Sequence, residues 1–142
     1  MKNKAPLALM EQLVMVLVFA LATALCLQVF VFADRVSRRC EAEDYAVRVA
    51  QSAAEVLKST SGDFGRAADM LGGSCEDGAW KIGYDKHWLQ TTGDAAYWLE
   101  ATAVDSGHGL LGMADVMVET SDSDELFRLT VAWQEGEEHA HA

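Results

Sequence analysis

The chain begins with a long apolar stretch and later changes to alternating apolar and polar positions. Residues 7–33 contain a single charged side chain, Glu11, and the 22 residues 12–33 contain none. A helix of that length would span about 33 Å at ~1.5 Å per residue, which matches a hydrocarbon core of roughly 30 Å. Because a backbone in lipid must satisfy its own hydrogen bonds, this pattern predicts a transmembrane helix.

The helix is predicted to continue beyond the apolar stretch. No glycine or proline occurs between Asp34 and Ser59, and apolar residues recur there at helical spacing. The predicted stripe comprises Val36, Cys40, Ala42, Tyr45, Val49, Ala53, Val56 and Leu57. We therefore expect a short basic leader at 1–6, a transmembrane helix at 7–33 and an amphipathic continuation at 34–60 whose stripe packs on the following domain.

Residues 61–134 are predicted to form a short helix and an antiparallel meander of about four strands. Asp63 is a suitable N-cap for a helix from Phe64 to Leu71, which the glycines at 72–73 would end. The apolar period then changes from 3.6 to 2 in four segments: Trp80–Tyr84, Ala96–Val104, Leu111–Thr120 and Leu126–Gln134. The predicted fold is α+β, a long N-terminal helix packed on a small antiparallel sheet, with a disordered acidic tail at 135–142.

The net charge of −11 is concentrated after the apolar stretch. Residues 34–142 carry nine Lys or Arg against 21 Asp or Glu, a net charge of −12. So acidic a domain would repel nucleic acid, which excludes a nucleic-acid-binding role. Basic residues flank the apolar stretch on both sides, but the N-terminal flank is very short and contains Lys2 and Lys4. That short basic flank favours a cytoplasmic N-terminus and an extracytoplasmic C-terminal domain.

Two of the three cysteines lie in the part predicted to be soluble. Cys40 and Cys75 could form a disulfide if that part lies in an oxidising space, and two unpaired thiols are an equally open interpretation. Cys26 is interpreted as a small apolar residue within the membrane.

Four tryptophans occur in the predicted domain. We expect Trp80 and Trp133 to pack in the core. Either Trp88 or Trp98 could face outward and mark a subunit contact, because aromatic residues are enriched at such contacts.

The chemistry of an enzyme is not evident in the sequence. There is no glycine-rich phosphate loop, no Gly-x-Ser-x-Gly motif and no cysteine beside a plausible base. His139 and His141 lie in the predicted flexible tail, and Asp122, Asp124 and Glu125 lack the spacing of a calcium loop. We therefore predict a non-enzymatic protein with no metal and no cofactor.

The run Leu7-Ala8-Leu9-Met10-Glu11 resembles the start of a type IV pilin or pseudopilin. Members of that family have a short basic leader, a cleavage site, four mostly apolar residues, a glutamate at the fifth mature position and an apolar helix. The resemblance implies cleavage by a prepilin peptidase between Pro6 and Leu7. Pro6 stands where leaders of the family end in glycine, or sometimes alanine.

The resemblance also implies a role for Glu11 in assembly. A carboxylate near the membrane core costs several kcal/mol unless it is paired. The free N-terminal amine of a neighbouring subunit would supply that pair and set the register along a filament. The alternative is that Glu11 lies at the level of the lipid headgroups and favours the start of the helix through the helix dipole.

The leading hypothesis is therefore a pilin-like subunit of a type IV pilus, a type II secretion apparatus or a competence pseudopilus. Its expected partners are other pilin-like subunits, the prepilin peptidase, the inner assembly machinery and membrane lipid. It would reside in the cell membrane as a single-pass protein and at the cell surface after assembly.

Two alternatives remain open. One is a single-pass membrane-anchored extracytoplasmic binding domain that is not part of a filament. The other is a secreted domain, conceivably a hydrolase, released by cleavage after Ala33, since Lys2 and Lys4 with the small residue Ala33 resemble a secretory signal. The apolar run is longer than the ~7–15 residues of a signal core, which weighs against the secreted form.

Overall fold

The computed structural model describes residues 4–135 and has an α+β fold, which confirms the predicted class. Its elements are α1 (Ala5–Ser59), α2 (Phe64–Leu71), β1 (Ser74–Glu76), β2 (Ala79–Tyr84), β3 (Tyr97–Val104), β4 (Leu111–Thr120) and β5 (Glu125–Gln134). The chain divides into two compact units, Met1–Glu41 and Ala42–Ala142. The second unit contains the end of α1, the short helix α2 and the whole sheet. The predicted acidic tail lies outside the described residues, apart from Glu135.

The sheet is a five-stranded antiparallel meander in the order β1-β2-β3-β4-β5. The sequence predicted about four strands, and the additional strand is β1. β1 pairs with β2 through the register Cys75↔Trp80. Asp77 and Gly78 form the connection, both with positive φ (53° and 78°), as the two-residue turns that match strand twist require. A short polar strand with no alternation of its own is therefore held in place by its turn and its neighbour.

Alternation along the strands gives the sheet two different faces. The core face carries the large buried side chains, which are Trp80, Ile82, Tyr84, Leu99, Val116 and Val118. Cross-strand partners such as Ile82 and Leu99 share that face, and Val118 continues it on β4. The residues between them, for example Lys81 and Glu100, lie on the opposite face. One face of the sheet is therefore buried and the other is solvated, as is common for antiparallel sheets.

The second half of α1 packs on the core face through small side chains. The buried α1 residues are Ala46, Ala50, Ala53, Ala54 and Leu57. The predicted stripe was partly wrong, because Tyr45 is 37% exposed and Val49 and Val56 lie only at the edge of the core. Because the buried helix side chains are small, the large side chains of the strands fill most of the space between helix and sheet.

The short helix α2 has the predicted bounds and caps. The Asp63 carboxylate accepts a hydrogen bond from the Arg66 backbone N–H at 3.1 Å, which satisfies one of the free N-terminal donors. The helix ends where the Gly72 N–H donates to the Ala68 carbonyl at 2.8 Å, with Gly72 at φ 94°. The Trp80 indole N–H then donates to the Gly72 carbonyl at 2.9 Å and fixes this end to the sheet.

An aromatic stack joins α1 to the loop between β2 and β3. The Trp88 ring lies between Tyr45 of α1 and Tyr97 of β3, with centroid distances of 5.6 and 4.1 Å and interplanar angles of 15° and 9°. Trp88 has a left-handed backbone at φ 60°. The Asp85 carboxylate holds that loop by accepting the backbone N–H groups of His87 and Leu89 at 2.8 and 3.0 Å. The same bonds lower the pKa of Asp85, with the bond from Leu89 as the largest cause.

At the opposite end of the sheet, Trp133 requires glycine at two neighbouring positions. A Cβ added at Gly62 or at Gly112 would fall well inside contact distance of the Trp133 indole. Gly112 is the register partner of Trp133 on β4, and Gly62 follows the end of α1 with φ 79°. Trp133 is thus a half-buried core residue that closes this end of the helix–sheet interface.

Candidate functional site

The first half of α1 presents an apolar surface that no other part of residues 4–135 covers. Its large apolar side chains between Leu7 and Phe32 are 49–75% exposed. No part of its most apolar stretch is buried among the described residues, and the helix is long and apolar enough to cross a membrane. Free apolar surface on this scale is not tolerated in water. The segment is therefore compatible with a single membrane anchor.

Charged residues mark the end of the apolar segment. Asp34 follows Ala33 directly, and its carboxylate forms an ion pair with the Arg38 Nε at 3.0 Å, one turn further along α1. An exposed pair of this kind contributes little stability. The position of this pair in the sequence matters more, because charged side chains that require hydration appear on the helix surface from Asp34 onward.

Glu11 is the one charged residue between Leu7 and Ala33. It is exposed on α1, and its helical neighbours at three and four positions on either side are Leu7, Ala8, Val14 and Met15. Within residues 4–135 it makes no hydrogen bond and no ion pair. In contrast, the Thr23 hydroxyl donates to the Phe19 carbonyl at 2.9 Å and is satisfied within the helix. Glu11 thus needs a partner from outside the described residues if it enters lipid.

The position of Glu11 in α1 tests the alternative that its carboxylate stabilises the start of the helix. In the uncleaved chain α1 begins at Ala5, so Glu11 is its seventh residue and the first turn contains no acidic side chain. The stabilising effect of the helix dipole fades beyond the first turn. The dipole therefore gives little reason for a carboxylate at this position while the leader is attached.

The residues of the predicted cleavage site, Pro6 and Leu7, both lie in the first turn of α1. A proline there is compatible with the helix, because its missing N–H would have no intrahelical partner in any case. Cleavage between these two residues stays a prediction.

All three cysteines are free and exposed. The Cys75 thiol donates a hydrogen bond to the Phe64 carbonyl at 3.2 Å, and so links β1 to the start of α2. The structure contains no disulfide between Cys40 and Cys75, and this pairing stays a prediction. Cys26 lies within the apolar half of α1.

The polar groups weighed as metal ligands are not gathered into a site. Among residues 4–135 no group of three His, Cys, Asp or Glu side chains is placed to hold a metal ion. His139 and His141 lie outside that range, so the structure does not describe them.

The two outward tryptophan candidates differ in environment. Trp88 is half-buried in its stack with Tyr45 and Tyr97, whereas Trp98 lies on the solvated face of the sheet and is 37% exposed. Sequence reasoning could not separate them, because the loop that carries Trp88 is ordered by the side-chain bonds of Asp85 and not by any apolar period.

No protein-family model, curated protein or solved structure matches this chain significantly. The architecture itself is pilin-like, since a long apolar N-terminal helix continues into a half that packs on an antiparallel sheet.

Proposed function

We propose that this chain is a non-enzymatic, pilin-like subunit that assembles with related subunits through the first half of α1. Residues 7–33 would hold it in the cell membrane before assembly and would pack against neighbouring helices afterwards. Its N-terminus would be cytoplasmic and its sheet domain extracytoplasmic. The filament could belong to a type IV pilus, a type II secretion apparatus or a competence system.

The observation that carries this proposal is the unpaired Glu11 within an otherwise apolar helix surface. A simple anchor gains nothing from a carboxylate at this position and would pay its desolvation cost. In an assembly, the N-terminal amine of a neighbouring subunit cleaved before Leu7 would supply the compensating positive charge. The carboxylate then stabilises only the correctly staggered arrangement, because any other stagger leaves it unpaired.

The sheet domain supports the same proposal in a second way. Its packing on the later part of α1 uses mainly alanines and one leucine, and the fully buried residues of α1 begin at Ala46. The apolar surface before Asp34 is left for contacts with lipid or with other helices. This division of one helix between an intramolecular and an intermolecular role is what a helix-assembled subunit needs.

The test compares Glu11→Ala with Gln28→Ala in cells that carry a prepilin peptidase and a pilus or pseudopilus assembly system. Both variants remove one polar side chain from the same apolar segment. We expect both proteins to resist extraction from membranes at alkaline pH. Only Glu11→Ala should be missing from filaments sheared from the cells. Equal incorporation of the two variants would show that Glu11 has no pairing role.

Mass spectrometry of the N-terminal peptide distinguishes this proposal from its alternatives. A chain that begins at Leu7 supports a processed pilin-like subunit, and one that begins at Asp34 identifies a secreted domain. An intact leader identifies a membrane-anchored binding domain outside a filament. The placement of Pro6 where the family has glycine is the observation that favours this last candidate.

A further inference from the structure

The solvated face of the sheet contains an open groove of about 1020 Å³ beside the edge strand β1. Lys81 and Gly83 of β2, Trp98 and Glu100 of β3, and Glu119 of β4 contribute to its lining. These residues alternate with the buried core positions, so the groove lies on the face opposite α1. It therefore lies entirely within the second unit and is independent of the apolar half of α1.

Trp98 supplies an aromatic surface to this groove. Its register partners are Gly83 on one side and Glu119 on the other. A Cβ added at Gly83 would lie 3.3 Å from the Trp98 ring atom Cζ3, so the absence of a side chain there gives the indole room to pack against β2. With 37% of the residue exposed, the rest of the indole remains open to a ligand.

The charges of the groove do not balance. The Lys81 ammonium lies 3.4 Å from Glu100 Oε1, and these two groups compensate each other. Glu76 and Glu119 also line the groove, and no ion pair with either carboxylate occurs in the part of the chain that the structure describes. The groove therefore carries an excess of negative charge beside an exposed indole.

The local strand geometry at Glu119 adds to this imbalance. A register irregularity between Val118 and Glu119 places Glu119 opposite Glu125 of β5, and like charges directly opposite each other destabilise a sheet. Arg128 Nη2 binds Glu125 Oε2 at 2.7 Å and neutralises that member of the pair. Glu119 is left half-buried and uncompensated. Such irregularities often direct a side chain toward a functional surface.

We propose that this groove binds an arginine side chain of a partner protein. The guanidinium would stack on the Trp98 indole and form an ion pair with Glu119. Planar guanidinium groups stack well on indoles and can engage a carboxylate through two donors. A neutral sugar could also stack on the indole, but it would leave Glu119 uncompensated. The proposal goes beyond filament assembly and does not depend on it.

The experiment follows the indole N–H signals of the full-length, ¹⁵N-labelled chain in zwitterionic micelles. The probe is the capped peptide Gly-Arg-Gly-Arg-Gly, and the control probe has citrulline, the uncharged isostere, in place of both arginines. The Trp98 signal is assigned from its absence in Trp98→Phe. We expect the arginine peptide to shift the Trp98 signal selectively among the four indoles, and the citrulline peptide to leave it in place.

Matched variants distinguish the groove from general attraction to an acidic domain. Glu119→Gln and Glu55→Gln each remove one negative charge, but Glu55 lies exposed on α1, outside the groove lining. We expect Glu119→Gln to weaken binding by about two- to fivefold, the range of an exposed ion-pair contact. Glu55→Gln should bind like the unmodified chain.

Three outcomes would overturn the proposal. Equal weakening by Glu119→Gln and Glu55→Gln would show unspecific electrostatic attraction. An equal response to the arginine and citrulline peptides would show that the charge is not recognised. A selective shift of the Trp98 signal by a neutral oligosaccharide such as chitotriose, with no shift by the arginine peptide, would assign the groove to sugar binding instead.

Discussion

Replacing Gly62 with alanine should destabilise the sheet domain more than the same change at Gly78. The two glycines have nearly the same positive φ, 79° and 78°. A Cβ at Gly62 would collide with the Trp133 indole, whereas a Cβ at Gly78 would meet no atom within 4 Å. Gly78→Ala therefore reports the backbone cost alone, and Gly62→Ala reports that cost together with the collision.

The two contributions can be estimated separately. A left-handed alanine costs about 1–2 kcal/mol relative to glycine, and this applies to both variants. Overpacking a well-packed interior adds about 1–3 kcal/mol, and this applies only to Gly62→Ala. Trp133 cannot easily yield, because a Cβ at Gly112 would also collide with the indole. We therefore expect losses of about 2–5 kcal/mol for Gly62→Ala and about 1–2 kcal/mol for Gly78→Ala.

The assay is urea unfolding of the full chain in zwitterionic micelles, followed by tryptophan fluorescence and analysed by linear extrapolation. Repeating both substitutions in a Trp133→Leu background completes the cycle. The difference between the two alanine variants should then shrink to within about 0.5 kcal/mol, the usual limit for sites that do not interact. Equal losses for the two variants in the unmodified background would refute the contact between Trp133 and Gly62.

Four further predictions concern Trp88 and the nearby residues Tyr84 and Asp85. Trp88→Ala should lower the free energy of unfolding by about 1–3 kcal/mol through loss of the two stacked contacts with Tyr45 and Tyr97. Trp88→Gly should lose up to about 1 kcal/mol less in the same urea assay, because glycine relieves the left-handed strain but makes the unfolded chain more flexible. Burial raises the pKa of Tyr84, so this phenol ionises at lower pH in the unfolded chain, and stability should fall as the pH rises above about 10. Tyr84→Phe should make this alkaline decline shallower in urea unfolding between pH 8 and 11. An unchanged slope would contradict the prediction. The backbone hydrogen bonds to Asp85 lower the pKa of its carboxylate. The stability that they contribute is therefore present above about pH 4 and is lost as the pH falls through the pKa of the folded state. Asp85→Asn should make the loss of stability at acid pH less steep, and an equally steep loss would contradict the prediction.

The sequence predicted the elements that have a strong apolar period. The long α1, the caps of α2 at Asp63 and Gly72, and the strands β2 to β5 all follow from spacing and from capping residues. β1 was missed because Ser74–Glu76 has no apolar alternation of its own. Its signal was the Asp77-Gly78 pair, a strong indication of a two-residue hairpin turn.

The buried side of α1 was harder to predict for a physical reason. The predicted stripe contained Ala53 and Leu57, which the structure buries, but also Tyr45, which is 37% exposed. The buried Ala46 and Ala50 were not part of the predicted stripe. Hydrophobicity scales rank residues by the area they can bury, but a helix must present small residues where large strand side chains already fill the space between helix and sheet.

Of the candidate functional residues, the sequence could identify only those that stand out without any tertiary contact. Glu11 is conspicuous because it interrupts an uncharged run, and no tertiary contact is needed to notice it. The groove beside Trp98 depends on which residues face each other across β2, β3 and β4. That register is not contained in the period of any single strand.

The alanines of α1 have a consequence for how this protein can vary. A side chain with a single methyl group has almost nothing left to remove, so nearly every substitution at Ala46, Ala50 or Ala53 must add volume where none is available. Few substitutions are therefore tolerated on the helix side of the interface, whereas Ile82, Leu99 and Val116 on the strands can still be replaced by smaller residues. Natural variants of this domain should accordingly differ in their strands while keeping the same narrow face on the helix.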